Sequence, residues 1–337
     1  MKRLVVMLSI AATLATQTMA EAAGGAPATL TFGGNCDASA ALPLGGNRLL
    51  VVDDERKKPL KIYTLDRLGD APRELGKLAE ILANTADVEA DLEALASLGD
   101  DVVFIASHNW HAKPEKMAAR QLMFAVPRKS LESGVVKPAE VSVYRMLVDD
   151  LLAAPAIPST VLDLLRKGRT LDSKESGGLS IEGLAATKDG RLLIGFRNPL
   201  LDDNSALLLP LANPAAVLRQ RAKAIFEAPI AIDLGGRGIR DIVYVAERDE
   251  YLIVAGAAPG SGPVSRAYWW SGRGADAPRH IADIDFSDFN PEAVAVLPGR
   301  TGGNVLFLSD DGKTTAVCTP TTKRFRGRWY TLSLSKP

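Results

Sequence analysis

The sequence has few of the residues that usually build metal, redox and nucleic-acid sites. It contains two cysteines and three histidines among 337 residues, and its 40 Lys and Arg balance 40 Asp and Glu. A nucleic-acid partner normally requires a basic patch, and a zinc site requires more His and Cys than His108 and His111 supply. The sequence also lacks a Gly-x-Ser-x-Gly elbow and a Gly-x-x-x-x-Gly-Lys-Ser/Thr phosphate loop. We therefore expect no nucleic-acid partner and no nucleotide cofactor.

Long apolar runs are also missing after the first residues. Met1, Lys2 and Arg3 form a short basic start, and an apolar run over 4–15 is followed by small residues near Ala22. This run is too short to span a bilayer, so residues 1–22 are interpreted as a cleaved signal peptide and 23–337 as one domain. The alternative is a retained anchor helix. We expect a monomer in the periplasm or outside the cell, with no transmembrane segment after cleavage.

The two cysteines lie at opposite ends of the expected domain, at Cys36 and Cys318. In a closed ring of repeats these ends are neighbours, and an exported protein can keep a disulfide. A Cys36–Cys318 bond that locks the closure is one interpretation. Two separate buried thiols are the other, because a free cysteine behaves as a small hydrophobic residue.

What the sequence does contain is a recurring hairpin of two short apolar strands. In the most regular copy, strands at 180–186 and 191–198 flank the turn Lys188-Asp189-Gly190, where Gly can take the positive φ of a tight hairpin. Five copies start at Ser39, Glu93, Glu182, Asp241 and Glu292. Their spacing of 54, 89, 59 and 51 residues approaches the ~50-residue period of propeller blades.

The spacing predicts an all-β fold, a β-propeller of five blades, with six blades kept as the alternative. The long step of 89 residues is explained by a helical insertion near 149–168, where apolar residues recur with helical spacing. Residues 29–32 alternate and are expected to join the last blade as an outer strand.

A propeller brings residues that are distant in sequence to one mouth of its central channel, because all inner strands start at the same end and the second strands return to it. The predicted ring consists of the five starting residues, with Asp37, Asp91, Ser180, Arg240 and Asn290 close by. The ends of the second strands add Asp53, Asp54, His108, Asn109, Arg197, Asn198, Asp310 and Asp311.

Several carboxylates at one mouth repel each other unless they are compensated. A hard cation such as Ca²⁺ is one form of compensation, and the predicted ligands are Glu93, Glu182, Asp241 and Glu292. Ion pairs with Arg197 and Arg240 are another, and these arginines could also bind an anionic substrate. A third interpretation is purely structural, with the acids accepting hydrogen bonds from backbone amides at the strand ends.

Five short segments resemble a bacterial family known as domain of unknown function 3616. They are 91–95 (DLEAL), 181–184 (IEGL), 196–199 (FRNP), 238–241 (GIRD) and 309–312 (SDDG). More distantly, IEGL and SDDG resemble exported propellers grouped as phytase-like with esterase-like activity. That second resemblance implies a calcium-assisted phosphoesterase or esterase.

Three functions follow as hypotheses. The first is a Ca²⁺-assisted hydrolase of phosphate or other esters, in which Glu182, Arg197 and Glu292 are catalytic and the strand-end residues with Arg240 bind an anionic small molecule. The second is a non-catalytic periplasmic module that binds a ligand or partner at the mouth. The third is a sugar- or lactone-active propeller that uses paired carboxylates. Trp269 and Trp270 could form a ring-binding platform, although packing in an outer strand is the alternative.

Overall fold

Five four-stranded antiparallel sheets are arranged around a central channel in the computed structural model, which describes residues 28–54, 57–82, 90–258, 264–312, 317–319 and 321–335. The inner strands of neighbouring sheets contact each other in sequence order, and the inner strand of the fifth sheet contacts that of the first, so the ring is closed. The fold is therefore the five-bladed β-propeller predicted from the repeats, and the six-blade alternative is wrong. The predicted signal peptide, 1–22, lies outside the described residues.

Each blade consists of four strands that follow one another from the channel outward. Blade one has β2 (Ala40–Gly45), β3 (Arg48–Val52), β4 (Leu60–Thr64) and β5 (Arg73–Glu74). Blade two has β6 (Leu92–Leu98), β7 (Asp101–Ala106), β8 (Met123–Pro127) and β9 (Ser142–Tyr144). Blade three has β10 (Ser180–Ala186), β11 (Leu192–Asn198), β12 (Ala206–Leu211) and β13 (Ile230–Ile232). Blade four has β14 (Arg237–Val245), β15 (Glu250–Ala257), β16 (Arg266–Trp270) and β17 (Arg279–His280). Blade five has β18 (Pro291–Val296), β19 (Val305–Ser309), β20 (Arg324–Tyr330) and β1 (Thr29–Gly33).

The hydrophobic core lies between blades rather than within one sheet. Five buried apolar clusters fill the five spaces between adjacent blades, including the space between blades five and one. The middle strands are buried on both faces, which explains why their sequences are nearly continuous runs of Leu, Ile and Val. Because each space is filled from both sides, no blade has a complete core of its own.

The helices are short and lie in the connections between strands. They are α1 (Leu78–Ile81), α2 (Pro114–Arg120), α3 (Arg128–Ser133), α4 (Leu147–Leu152), α5 (Ser159–Gly168) and α6 (Pro214–Gln220), with a 3₁₀ turn at Pro138–Glu140. Helices α4 and α5 are the insertion predicted near 149–168. Their apolar residues join the core between blades two and three, so the insertion is packed against the propeller. None of the helices in the described part of the chain is long and apolar enough to cross a membrane.

Ring closure relies on one strand and one covalent bond. Strand β1 pairs antiparallel with β20, so the beginning of the chain completes the last blade. Cys36 and Cys318 are joined in a disulfide with their Cα atoms 5.3 Å apart, across a sequence separation of 282 residues. The bond therefore ties the segment before blade one to the segment between β19 and β20.

We expect removal of this disulfide to destabilise the ring, because it restricts a very long loop in the unfolded chain. The double variant Cys36→Ser/Cys318→Ser should lower the free energy of unfolding by about 2 to 5 kcal/mol. Urea unfolding of the variant and of the oxidised and reduced wild type would measure this. Coincident transitions for all three would contradict it.

Candidate functional site at the channel mouth

One extra residue near the start of the inner strand places a charged side chain in the channel mouth in four of the five blades. The register between β6 and β7 skips Glu93, and that between β10 and β11 skips Glu182. The corresponding residue is Arg240 in blade four and Glu292 in blade five. A β-bulge leaves its extra residue unpaired and redirects that side chain. All four side chains line one cavity of about 860 Å³, which we call the mouth.

Blade four therefore departs from the predicted ring by one residue. The predicted metal ligand Asp241 is buried, accepts hydrogen bonds from the amides of Ile242 and Val294 at 2.8 Å each, and lines a different cavity. This corresponds to the structural interpretation, in which a strand-end acid binds backbone amides. The prediction that Asp241 opens blade four at the mouth was wrong, because the residue at the bulge of this blade is Arg240. Arg240 is therefore the structural equivalent of the bulge glutamates in blades two, three and five.

Four of the charged residues form a continuous chain of ion pairs, which we call the Arg–Glu network. Glu182 contacts Arg197 at 2.6 Å and Arg240 at 3.1 Å, and Arg240 also pairs with Glu292. The Oγ of Ser180 donates to Glu182 at 3.1 Å. Burial raises the pKa of Glu292 to about 7, although Arg240 opposes this effect. The network has two positive and two negative side chains and connects blades three, four and five across the mouth.

The opposite side of the mouth is acidic. Asp37 and Asp54 come from blade one, and Asp91 and Glu93 from blade two; we call these four the acid cluster. One carboxylate oxygen from each of Asp54, Asp91 and Glu93 lies within 4.8 Å of the other two, and the same holds for Asp37, Asp53 and Asp54. Burial raises the pKa of Asp37 to about 8, with a further contribution from Asp53. Burial and neighbouring carboxylates also raise the pKa values of Asp54 and Glu93 well above the ordinary range.

The cationic groups on this side are few. Arg120 lies 3.4 Å from Asp91, whose carboxylate also accepts from Ser107 and from Asn109 at 2.8 Å. The ammonium of Lys61 lies 3.4 Å from Asp53, behind the cluster. Asp37 and Asp54 each have a buried Oδ1 with no hydrogen-bond partner in the described ranges. The acid cluster is therefore only partly compensated.

The remaining predicted site residues fall into two groups. Asn109 and Asp310 line the mouth, as do Arg197 and Arg240. The others, His108, Asn198 and Asp311, are buried and bind neighbouring groups of the protein. His108 is hydrogen-bonded to Gln121 at 3.1 Å, and Asn198 donates to the backbone carbonyl of Glu175. Asp311 forms an ion pair with Arg326 at 2.6 Å. Burial lowers the pKa of His108 to about 4, so its ring is neutral.

The mouth also contains residues that the repeats did not predict. Trp110, His111 and Arg120 come from the connection between β7 and β8, and Asp172, Ser173 and Lys174 follow helix α5. The second loop is tied to the strand ends, since Ser173 accepts from Asn109 at 3.3 Å and Glu175 accepts from Asn198 at 2.9 Å. Neither loop belongs to the repeated hairpin, so only the length of the insertion between blades two and three indicated extra material here.

We expect Arg240 to be essential for folding, because it faces two buried carboxylates. Arg240→Met should lower the free energy of unfolding by about 3 to 5 kcal/mol, and Arg240→Lys by less. Arg219→Met is a matched control, since Arg219 forms an exposed ion pair with Asp101 that should contribute about 0 to 1 kcal/mol. Chemical denaturation would compare the three, and equal losses for Arg240→Met and Arg219→Met would contradict the network's role.

The raised pKa of Asp37 predicts a pH dependence of stability. The folded chain retains a proton on Asp37 up to about pH 8, whereas an unfolded chain releases it near its ordinary pKa of 3.8. Without divalent cations, the free energy of unfolding should therefore fall as the pH rises from about 4 to about 8. Asp37→Asn should reduce this slope and be more stable than the wild type at the upper end. Parallel stability curves for the two proteins would refute the assignment.

Comparison with known proteins agrees with the fold. Residues 136–304 match the model of a family described as "Protein of unknown function (DUF3616)". The major allergen Mala s 1 of Malassezia sympodialis superposes with a TM-score of 0.52 at 10% identity, covering 90% of this chain and 96% of that one. No curated protein matches.

Two further structures align less well. A gluconolactonase of Xanthomonas campestris aligns at 13% identity and a TM-score of 0.41, over 90% of this chain and 79% of its own. The extracellular domain of a one-component system from B. thetaiotaomicron aligns at 11% identity and a TM-score of 0.34, over 80% of this chain. This chain spans about a quarter of that protein's length. The family model covers half of the sequence, including all strands of blades three and four and the first strand of blade five, so the chain belongs to the DUF3616 family.

Proposed function

We propose that this protein is an exported, Ca²⁺-dependent hydrolase of phosphate esters or other anionic esters, with the mouth as its active site. The observation that carries this proposal is the close approach of Asp54, Asp91 and Glu93, with oxygens within 4.8 Å of one another, in the same cavity as Arg197 and Arg240. One cavity thus offers ligands for a hard cation and donors for an anion.

The acid cluster fits a calcium ion. Calcium binds oxygen ligands at 2.3–2.6 Å, so two oxygens on the same ion cannot be more than about 5 Å apart, and the cluster satisfies this limit. The buried Oδ1 atoms of Asp37 and Asp54 offer lone pairs that no described donor uses. We therefore assign Asp54, Asp91 and Glu93 as ligands with Asp37 beside them, in place of the set predicted from sequence. A bound Ca²⁺ would polarise the ester and lower the pKa of a water molecule.

The Arg–Glu network binds and orients the ester on the other side of the mouth. Arg197 and Arg240 each have a buried Nε–H without an acceptor among the described residues. Their positions are fixed because both contact Glu182, so the guanidinium groups are pre-organised to receive negative charge. Glu182 is a positioning residue in this scheme.

Glu292 supplies the proton. Its pKa of about 7 keeps part of its carboxyl protonated near neutral pH. A water molecule attacks the ester centre and loses a proton to solvent, while the bond from that centre to the leaving oxygen breaks. The proton of the Glu292 carboxyl passes to the leaving oxygen, and the product alcohol leaves neutral. An acid with an ordinary pKa would already be ionised.

A second candidate is a binding module without catalysis. It is favoured by the pairing of Arg240 with both Glu182 and Glu292, which engages this guanidinium before any substrate arrives. In that case the mouth holds a cation and a ligand, and no bond is broken.

The test is Asp54→Asn, with Asp283→Asn as a control that makes the same chemical change at an exposed position. Wild-type protein should gain thermal stability with Ca²⁺ and hydrolyse p-nitrophenyl phosphate, and chelation should remove both properties. Asp54→Asn should reduce turnover by about 100-fold or more, because it removes a metal ligand, whereas Asp283→Asn should behave as the wild type.

The outcomes separate the two candidates. A calcium-induced rise in melting temperature without turnover supports the binding module and overturns the hydrolase. Turnover and stability that are both indifferent to Ca²⁺ and to chelation would overturn the cation site itself.

A further inference from the structure

Trp110 differs from the other three tryptophans of this protein, all of which lie in the described residues. Trp269, Trp270 and Trp329 are buried, with exposures of 8%, 1% and 7%, whereas Trp110 is 36% exposed. The buried rings have structural partners: Arg248 lies over Trp269, Arg300 lies over Trp329, and the Nε1 of Trp270 donates to backbone carbonyls. Trp269 and Trp270, considered above as a ring-binding platform, are therefore packed inside the protein and do not form one.

The position of Trp110 distinguishes it from the other exposed apolar residues. Val135, Met146, Ile225 and Val264 are also large and exposed, but of these five side chains only Trp110 lines the mouth. An indole at the wall of an otherwise acidic and polar cavity offers an apolar surface that no described residue covers fully. Such a surface suits a ring-shaped ligand.

The turn that carries Trp110 is held on both sides. Preceding it, Asn109 donates to Asp91 at 2.8 Å and to Ser173 at 3.3 Å, and accepts from Arg120. Following it, the amide of His111 donates to Met117 Sδ in helix α2. The backbone that carries the indole is thus positioned before a ligand arrives, which reduces the ordering cost of binding.

We propose that Trp110 forms a stacking subsite for the ring of a sugar that carries an anionic group. This inference rests on the proposed function, since the anionic group is the part directed to the cation and the arginines. The ring identity follows from the surrounding walls: Asp172 and Lys174 line the same cavity, are exposed, and can bond ring hydroxyls. An aromatic ring would offer these two side chains no hydrogen-bonding group. A volume of about 860 Å³ accommodates a sugar phosphate.

The experiment compares glucose 6-phosphate, glycerol 3-phosphate and phenyl phosphate by calorimetry on the mature protein, with Ca²⁺ and after chelation. Where turnover would consume the ligand, every measurement is made in the Glu292→Gln background, which lacks the proposed acid. Wild type should bind glucose 6-phosphate about 5- to 10-fold more tightly than the acyclic phosphate, the ratio expected for one stacked ring. Trp110→Ala should reduce this ratio to about one, and Trp110→Phe should retain part of it. Met146→Ala, which truncates an exposed apolar side chain outside the mouth, should leave the ratio unchanged.

Each outcome bears on a separate claim. Equal affinities for the two aliphatic phosphates in wild type would overturn the subsite, and phenyl phosphate as the tightest ligand would overturn the sugar. A ring preference that depends on Trp110 but not on Ca²⁺ would overturn the cation of the proposed function and leave the subsite standing. Failure of all three phosphates to bind would overturn both.

Discussion

One extra residue in an inner strand determines the chemistry of this propeller's mouth. The bulge turns Glu93, Glu182, Arg240 and Glu292 out of the sheet and into the mouth, where they are largely shielded from water. Uncompensated carboxylates cannot be buried there without a large desolvation cost. Because blade four supplies an arginine where three other blades supply glutamate, the channel can close around charged residues. The fold and the site therefore depend on the same contact of Arg240 with its neighbours.

The scaffold is nearly symmetric, but the mouth is not. Blades three to five contribute the Arg–Glu network, in which each carboxyl group contacts an arginine, while blades one and two contribute the acid cluster, in which carboxyl groups lie beside one another. Two loops outside the repeat extend this difference, one with Trp110 and one with Lys174. A ligand with a negative group and a ring would find different partners on each side, so the mouth has an orientation that a symmetric ring of acids would lack.

The sequence predicted the ring but not its details. Apolar strand pairs recur at blade spacing because every blade fills the same kind of space, and this periodicity is visible without coordinates. A bulge shifts the register by one residue and leaves the apolar pattern nearly unchanged, which is why Asp241 was predicted as the ring residue of blade four and Arg240 only as its neighbour. Trp110 and Lys174 were missed for a different reason: the paths of their loops depend on how α2 and α5 pack, and no local pattern encodes that packing.

Polar residues at equivalent strand ends have different roles because their hydrogen-bonding capacity is used differently. Asp311 accepts from Arg326 and from Ser309, and Asn198 uses both ends of its amide on the loop after α5. Their polar atoms are already engaged, so they stabilise the edge of the mouth. Asp37 and Asp54 each keep a buried oxygen without a partner in the described chain, and the charge of Asp37 contributes to the raised pKa of Asp54. These unused lone pairs distinguish the acid cluster from the saturated strand ends, and they are the feature on which the proposed cation site rests.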